Sequence, residues 1–370
     1  MHPSIRSSVL LPDVDTPALV VDDAIMEANI ARASAQAHRA GLALRPHAKT
    51  HKSVQIARRQ LATGAIGVTV AKPQEALVFW RAGIRPIFLA YPPMGPHKLD
   101  ALRPMIADEA LIVGLDDLAT AEPLGALAES CGVTLPVMVE VDVGMHRAGV
   151  MWGEPAACVA LHIVCAGGLE LRGIFCYEGH AHDVHPDKLP GFTAEIAHRM
   201  RQTADLIRAA GEPCPVVSAG SCLTVWHLHR DQGITEARPG TYVFNDVRTV
   251  LDGGASWADC ALTVLATIVS RPAPDRAVID AGAKIFTTAQ YDGVGYGAVL
   301  DVPDAQLVRL SEEHGILELR NTDVDLRIGD RVRIIPIHVC VTVNMQRELI
   351  RMRQGVVTDT ITVDASLCSR

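Results

Sequence analysis

The sequence predicts an α/β chain in which a (β/α)8 TIM-type barrel is followed by a smaller C-terminal β-domain. Three observations carry this expectation. From about Asp22 to about Asn245, short apolar runs alternate with stretches whose apolar residues recur at helical spacing, the pattern of repeated β-α units. After about Val250 the texture turns β-rich, with runs separated by Gly, Asp and Pro turns. The chain has 370 residues, more than one ordinary core holds at roughly 100 to 200 residues per domain.

Eight runs are candidate barrel strands: Ala43 to His47, Ile66 to Val70, Ile87 to Tyr91, Leu111 to Leu115, Pro136 to Val141, Leu171 to Tyr177, Pro215 to Ser218 and Thr235 to Arg238. Segments such as Ala24 to Ala40 and Ala194 to Ala210 carry the helical spacing between them. Cys260 to Val269, Arg276 to Ile279, Ile316 to Leu319 and Arg331 to Ile335 form the β-rich part. The extended opening segment, Ser8 to Val14, precedes the first barrel helix and is expected to add a strand to the β-domain. The expected division is therefore an N-terminal strand within residues 1–20, a barrel over 21–250 and a β-domain over 251–370.

Hydrophobic residues make up 49% of the chain but occur in short runs, with no stretch near the roughly 18 residues that a membrane helix needs. The opening MHPSIRSSVLLPDVDTP lacks the long apolar core and small-residue cleavage site of a secretory signal. Nine scattered cysteines suit a reducing compartment better than a disulfide framework, so a cytoplasmic protein is expected. A net charge of -8 without extended basic clusters argues against nucleic acid or an acidic membrane as partner. Small molecules are the expected ligands.

The segment Arg45-Pro46-His47-Ala48-Lys49-Thr50-His51-Lys52 packs three cations and two imidazoles where an apolar run ends, and barrels place active sites at the C-terminal ends of their strands. A lysine near other cations and partly desolvated has a lowered pKa, which frees its amine to condense with an aldehyde. A solvated basic loop is the other reading of this segment. The parts Ser218 to Ser221 and Arg238 to Tyr242 follow the last two barrel runs and combine glycine with hydroxyl side chains, as a phosphate site requires, although such pairs also make plain turns. In His338-Val339-Cys340, alternation along an extended segment would put imidazole and thiol on one face, a pair that suits zinc. From spacing alone, such a pair more often serves packing.

RPHAKTHK resembles the lysine segment of the D-threonine aldolase and D-serine dehydratase family. Its members are fold type III enzymes that use pyridoxal 5'-phosphate (PLP), with barrels related to that of alanine racemase. DTPALVVD, GVTVAKPQEA, DVGMHRAG, YEGH, VSAGS, RPGTYVFND, DAGAKIF, SEEHG and IPIHVCVTVNM extend the likeness, in order, over most of the chain. The resemblance implies a Schiff base of PLP on Lys49, with Lys52 a flanking cation and His47 beside the cofactor. It gives Arg147 a contact to the cofactor's phenolic oxygen, where a cation stabilises the phenolate. Tyr177 and His180 fall beside the cofactor ring, or are satisfied core polar groups. The phosphate falls to Ser218, Gly220, Ser221, Gly240, Thr241 and Tyr242. The resemblance also implies a divalent metal at His338 and Cys340, zinc first, with manganese or magnesium as alternatives. Aldolases of the family tend to carry Asp at the second of these positions, and dehydratases Cys.

The implied activity is a metal-assisted lyase reaction on a D-β-hydroxy-α-amino acid of the D-serine, D-threonine or 3-hydroxyaspartate type, most naturally elimination to a 2-oxo acid and ammonia. Retro-aldol cleavage to glycine and an aldehyde is the close alternative. A racemase would need a second base, a tyrosine of the β-domain in alanine racemases, and here the only tyrosines there are Tyr291 and Tyr296 in YDGVGYG. A non-enzymatic PLP carrier is typically a barrel alone. Fold-type III enzymes with a β-domain imply a homodimer.

Overall fold

A computed structural model describes residues 11, 13–300, 302, 305–319 and 325–370. The described residues divide into two compact units. One comprises the residues up to Ile30, Thr50–Gln55 and Thr241–Leu367; the other comprises Ala31–Lys49, Ile56–Gly240 and Cys368–Arg370.

The second unit holds eight parallel strands, Ala43–Leu44, Val68–Val70, Ile87–Leu89, Leu111–Leu115, Leu135–Asp142, Leu169–Phe175, Val216–Ser218 and Glu236–Ala237. Each falls on or within two residues of one of the eight apolar runs. Glu236–Ala237 pairs with Ala43–Leu44, and a parallel bridge between His47 and Thr69 joins the first strand to the second, so the sheet closes on itself. Leu111–Leu115 is buried throughout, as a parallel strand covered on both faces must be. Helices between strands begin where the sequence signals them: Pro73, Pro96 and Pro155 sit in first turns, and the Asp117 side chain accepts the Ala119 N–H.

Inside the barrel Phe88, Ile112, Met138 and Phe175 pack together, with the rings of Phe88 and Phe175 edge to face at 5.0 Å. A polar chain also runs through this interior. The Arg45 Nε–H donates to Glu236 at 2.9 Å, the Ser218 hydroxyl donates to the other Glu236 oxygen at 2.8 Å, and Arg238 donates to the Ser218 hydroxyl and to the Cys176 carbonyl. Period-two alternation explains this: Glu236 and, just past the strand's end, Arg238 project inward, and Ser218 lies opposite Glu236 in register.

The first unit is a nine-stranded sheet in the order Arg276–Ile279, Gly315–Glu318, Gln306–Leu310, Gly297–Val299, Arg331–Pro336, Leu262–Ala273, Ala18–Asp22, Glu348–Arg353 and Val356–Thr362. Arg276–Ile279 pairs also with Leu262–Ala273, so the first six strands form a closed antiparallel ring. The strand contributed from the start of the chain is Ala18–Asp22, which pairs with Leu262–Ala273 and Glu348–Arg353. The expected strand at Ser8 to Val14 lies largely outside the described residues; of it, Leu11 and Val14 pack against Val20, Leu265 and Met352.

One local expectation is corrected. His338 and Cys340 do not lie on one extended segment: the strand stops at Pro336, His338 is the N-cap of a helix over Val339–Asn344, and Cys340 is in its first turn. The helix starts here because the buried Asp246 carboxylate accepts the Val339 N–H at 3.2 Å, supplying a partner for a first-turn donor that no strand neighbour takes.

Candidate active site

The segment around Lys49 is held by its barrel neighbours. The His47 N–H donates to the Pro239 carbonyl at 3.0 Å, the Ala48 N–H to Thr69 at 2.8 Å, and the Lys49 N–H to His47 Nδ1 at 3.4 Å. The Lys49 ammonium lies 5.3 Å from the centre of the Tyr177 ring, and the Arg147 guanidinium lies 4.7 Å from the same ring. One aromatic side chain at the end of Leu169–Phe175 thus brings two of the predicted cations together. Arg147 reaches Glu140 at 3.5 Å, and burial raises the Glu140 carboxyl above its ordinary value despite that cation.

His180 stands edge-on to Phe192 at 4.9 Å, its Nδ1 is buried with no hydrogen-bond partner among the described residues, and desolvation lowers its pKa. A buried ring nitrogen in want of a partner is what a polar group of a bound cofactor would satisfy. The loop that follows Val216–Ser218 is organised by Glu178, a buried carboxylate that sequence reasoning passed over. It accepts the Ser221 N–H at 2.6 Å and the Thr224 hydroxyl at 2.5 Å, and no spacing rule singles it out within YEGH.

The candidate phosphate residues divide by environment. Ser218 is fully buried and its hydroxyl is engaged by Arg238 and Glu236. Gly220 has φ 113°, and a Cβ there would lie 3.1 Å from both Ala237 and Leu228, so the loop needs glycine. The Gly240 N–H points at Cys222 Sγ, 3.3 Å away. In the other unit, Tyr242 is buried, and the Thr241 hydroxyl lies 3.8 Å from Cys340 Sγ.

Cys340 Sγ also meets the hydroxyl of Thr50, the residue after Lys49, at 3.2 Å. His338 Nδ1 lies 3.0 Å from the Asp246 carboxylate. The Cys340 charge, reinforced by hydrogen bonds to Cys340 and Asp246, pushes the imidazole up to about 11 against the desolvation of its site. Burial opposes the charge on Asp246, yet the hydrogen bonds from His338 and Thr249 hold its carboxyl below the ordinary value. Among the described residues no group of three His, Cys, Asp or Glu side chains gathers around one point, so these would be two protein ligands. Imidazole nitrogen beside thiol sulfur, with a carboxylate behind the ring, is a donor set that fits zinc and leaves positions open.

A profile of the alanine racemase N-terminal domain matches residues 21–247, and one described as a serine dehydratase domain matches residues 261–352. D-threo-3-hydroxyaspartate dehydratase from Delftia sp. is 36% identical over 89% of this chain and 92% of that protein. The chain belongs to the D-threonine aldolase and D-serine dehydratase family. Within this family, D-threonine aldolase from an Arthrobacter species is 33% identical, covering 97% of this chain and 95% of its own. D-threonine aldolase from Filomicrobium marinum superposes with a TM-score of 0.89 at 31% identity, over the whole of both chains. The Delftia dehydratase superposes with a TM-score of 0.88 at 33% identity over 96% of this chain and 99% of that one. It has been solved with a histidine and with a cysteine, two positions apart, each replaced by alanine, the cysteine variant in a metal-free form. The eight parallel strands with a C-terminal antiparallel domain are the family's fold. No helix among the described residues is long and apolar enough to cross a membrane.

Proposed function

We propose that this chain is a PLP-dependent, metal-assisted lyase that eliminates water from a D-β-hydroxy-α-amino acid, giving a 2-oxo acid and ammonia. The observation that carries the reading is the His338 and Cys340 pair, an imidazole and a thiol in mutual contact with Asp246 behind the ring. The Delftia dehydratase supports it, since its altered histidine and cysteine share this spacing.

Lys49 would hold PLP through its amine, and that amine, once free, would take the proton from Cα. PLP when bound supplies an electron sink for the Cα pair. Arg147 would face the phenolic oxygen, the Lys49 and Arg147 cations lie against the Tyr177 ring, and His47 and His180 would flank the cofactor. Because the Ser218 hydroxyl is engaged elsewhere, phosphate binding falls mainly to backbone N–H groups around Gly220, Ser221, Gly240, Thr241 and Tyr242. His338 and Cys340 would hold a divalent metal, zinc by donor softness, which would supply Lewis acidity at the β-oxygen. Hydroxide is a poor leaving group at neutral pH, which is why that help is needed. Water lost from Cα and Cβ leaves an enamine, whose imine tautomer takes up water to release ammonia.

Retro-aldol cleavage by the same groups is the second reading, favoured by the Arthrobacter and Filomicrobium aldolases, with Cys340 in place of Asp as the feature against it. Nine free thiols accord with a cytoplasmic protein, and the family resemblance with a homodimer. Metal-loaded protein should be incubated with D-serine, D-threonine and D-threo-3-hydroxyaspartate, and ammonia, 2-oxo acid, glycine and aldehyde assayed together. Ammonia and oxo acid in equal amounts are expected; glycine and aldehyde alone would establish the second reading, and racemised substrate without either would overturn both. Borohydride reduction and peptide mapping should label Lys49, and a label on Lys52 or Lys72 would remove the basis of the mechanism.

A further inference from the structure

We propose that Asp246 is the positioning residue for the metal-binding imidazole: it keeps the ring proton of His338 on Nδ1 and so presents Nε2 to the divalent cation. The inference rests on the metal-assisted reading above and adds a residue to it. Asp246 is fully buried, and its two oxygens do different things. Oδ1 accepts the Thr249 N–H at 2.8 Å and the Thr249 hydroxyl at 2.6 Å, an N-cap for the short helix Val247–Leu251. Oδ2 accepts the Val339 N–H at 3.2 Å and faces His338 Nδ1 at 3.0 Å.

An ionised oxygen only accepts, so Nδ1 must be the donor, and in the neutral ring Nε2 then carries the free lone pair. A cap needs only Oδ1. The second oxygen reaches across 92 residues of sequence to the ring, and through Val339 it also anchors the first turn that carries Cys340. One carboxylate thus sets the tautomer of one ligand and the backbone position of the other. Partners of this kind, hydrogen-bonded to a ligating histidine, typically contribute 10 to 100-fold in metal affinity.

Asp246→Asn tests this at constant size. With the amide oxygen at Oδ1 to keep the cap, the amide NH2 takes the place of Oδ2: it donates to Nδ1, which moves the ring proton to Nε2, the atom the metal needs, and it leaves the Val339 N–H without its acceptor. Holoenzyme stripped of metal and titrated with zinc against a chromophoric chelator should show affinity lowered about 10 to 100-fold in the variant. The thiolate-to-metal band of the cobalt-substituted form should weaken, and PLP absorbance should be unchanged. Thr249→Val, which removes one bond of the cap, should lower the melting temperature and leave zinc affinity within about twofold of wild type. Zinc affinity equal to wild type in Asp246→Asn overturns the proposal, as does a loss of affinity in both variants in proportion to lost stability, which would mark a structural role. Wild-type protein that takes up no metal would instead overturn the metal-assisted reading, and the proposal with it.

Discussion

Glu236→Gln should destabilise the barrel unit by about 3 to 5 kcal/mol, the cost of removing one partner of a buried ion pair. The side chains of Arg45 and Glu236 are 6% and 3% exposed, and Nε meets the carboxylate at 2.9 Å. Neutralising Glu236 leaves the guanidinium charge in the barrel interior, where its Nη1 already lacks a hydrogen-bond partner among the described residues. The Ser218 hydroxyl keeps an acceptor only if the new amide turns its oxygen toward it, and then the amide NH2 opposes Arg45. Either orientation leaves one donor unmatched, at about 1 to 3 kcal/mol within that total. Replacing both charges while keeping an acceptor for Ser218, as in Arg45→Met with Glu236→Gln, should cost less than Glu236→Gln alone, because the pair's attraction is largely offset by its desolvation. Urea unfolding followed by tryptophan fluorescence reads this directly, since Trp80, Trp152 and Trp226 lie in the same unit. A loss below about 1 kcal/mol for Glu236→Gln, or a double variant as unstable as the singles combined, would refute the argument that this pair is desolvated and coupled.

Three further outcomes are expected. Gly173→Ala should cost about 3 kcal/mol in the same urea assay, because a Cβ there would lie 1.9 Å from the Val216 carbonyl oxygen at φ 151°. Asp246 has its folded pKa below the ordinary 3.8, so its contribution to stability is present above that value and lost as pH falls through the folded pKa; thermal melts of wild type and Asp246→Asn should converge toward low pH. Ligands bind zinc in their deprotonated forms, so uptake at His338 and Cys340 should release protons and strengthen as pH rises; calorimetry in two buffers of different ionisation heat counts them.

Much of the architecture was legible because it rests on local pattern. The barrel strands are short buried runs between amphipathic helices, and Leu111–Leu115 or Ile87–Leu89 reads as such from its own residues. Position at a strand end is likewise a property of the string and drew attention to the Lys49 segment and to Tyr177, while the family resemblance assigned Lys49 and Arg147; these two cations meet on the Tyr177 ring. The sequence was less informative wherever a partner distant in the chain decides the outcome. His338 and Cys340 read as an alternating strand pair, but a helix begins between them because Asp246 takes the Val339 N–H. Ser218 read as a phosphate donor, but in a closed barrel it faces Glu236 and Arg238, whose side chains claim its hydroxyl. Glu178 and Asp246 carried no signal of their own. A carboxylate becomes an organiser only when folding removes it from water and leaves specific N–H and O–H donors as its sole partners, and that desolvation is a property of the tertiary structure alone.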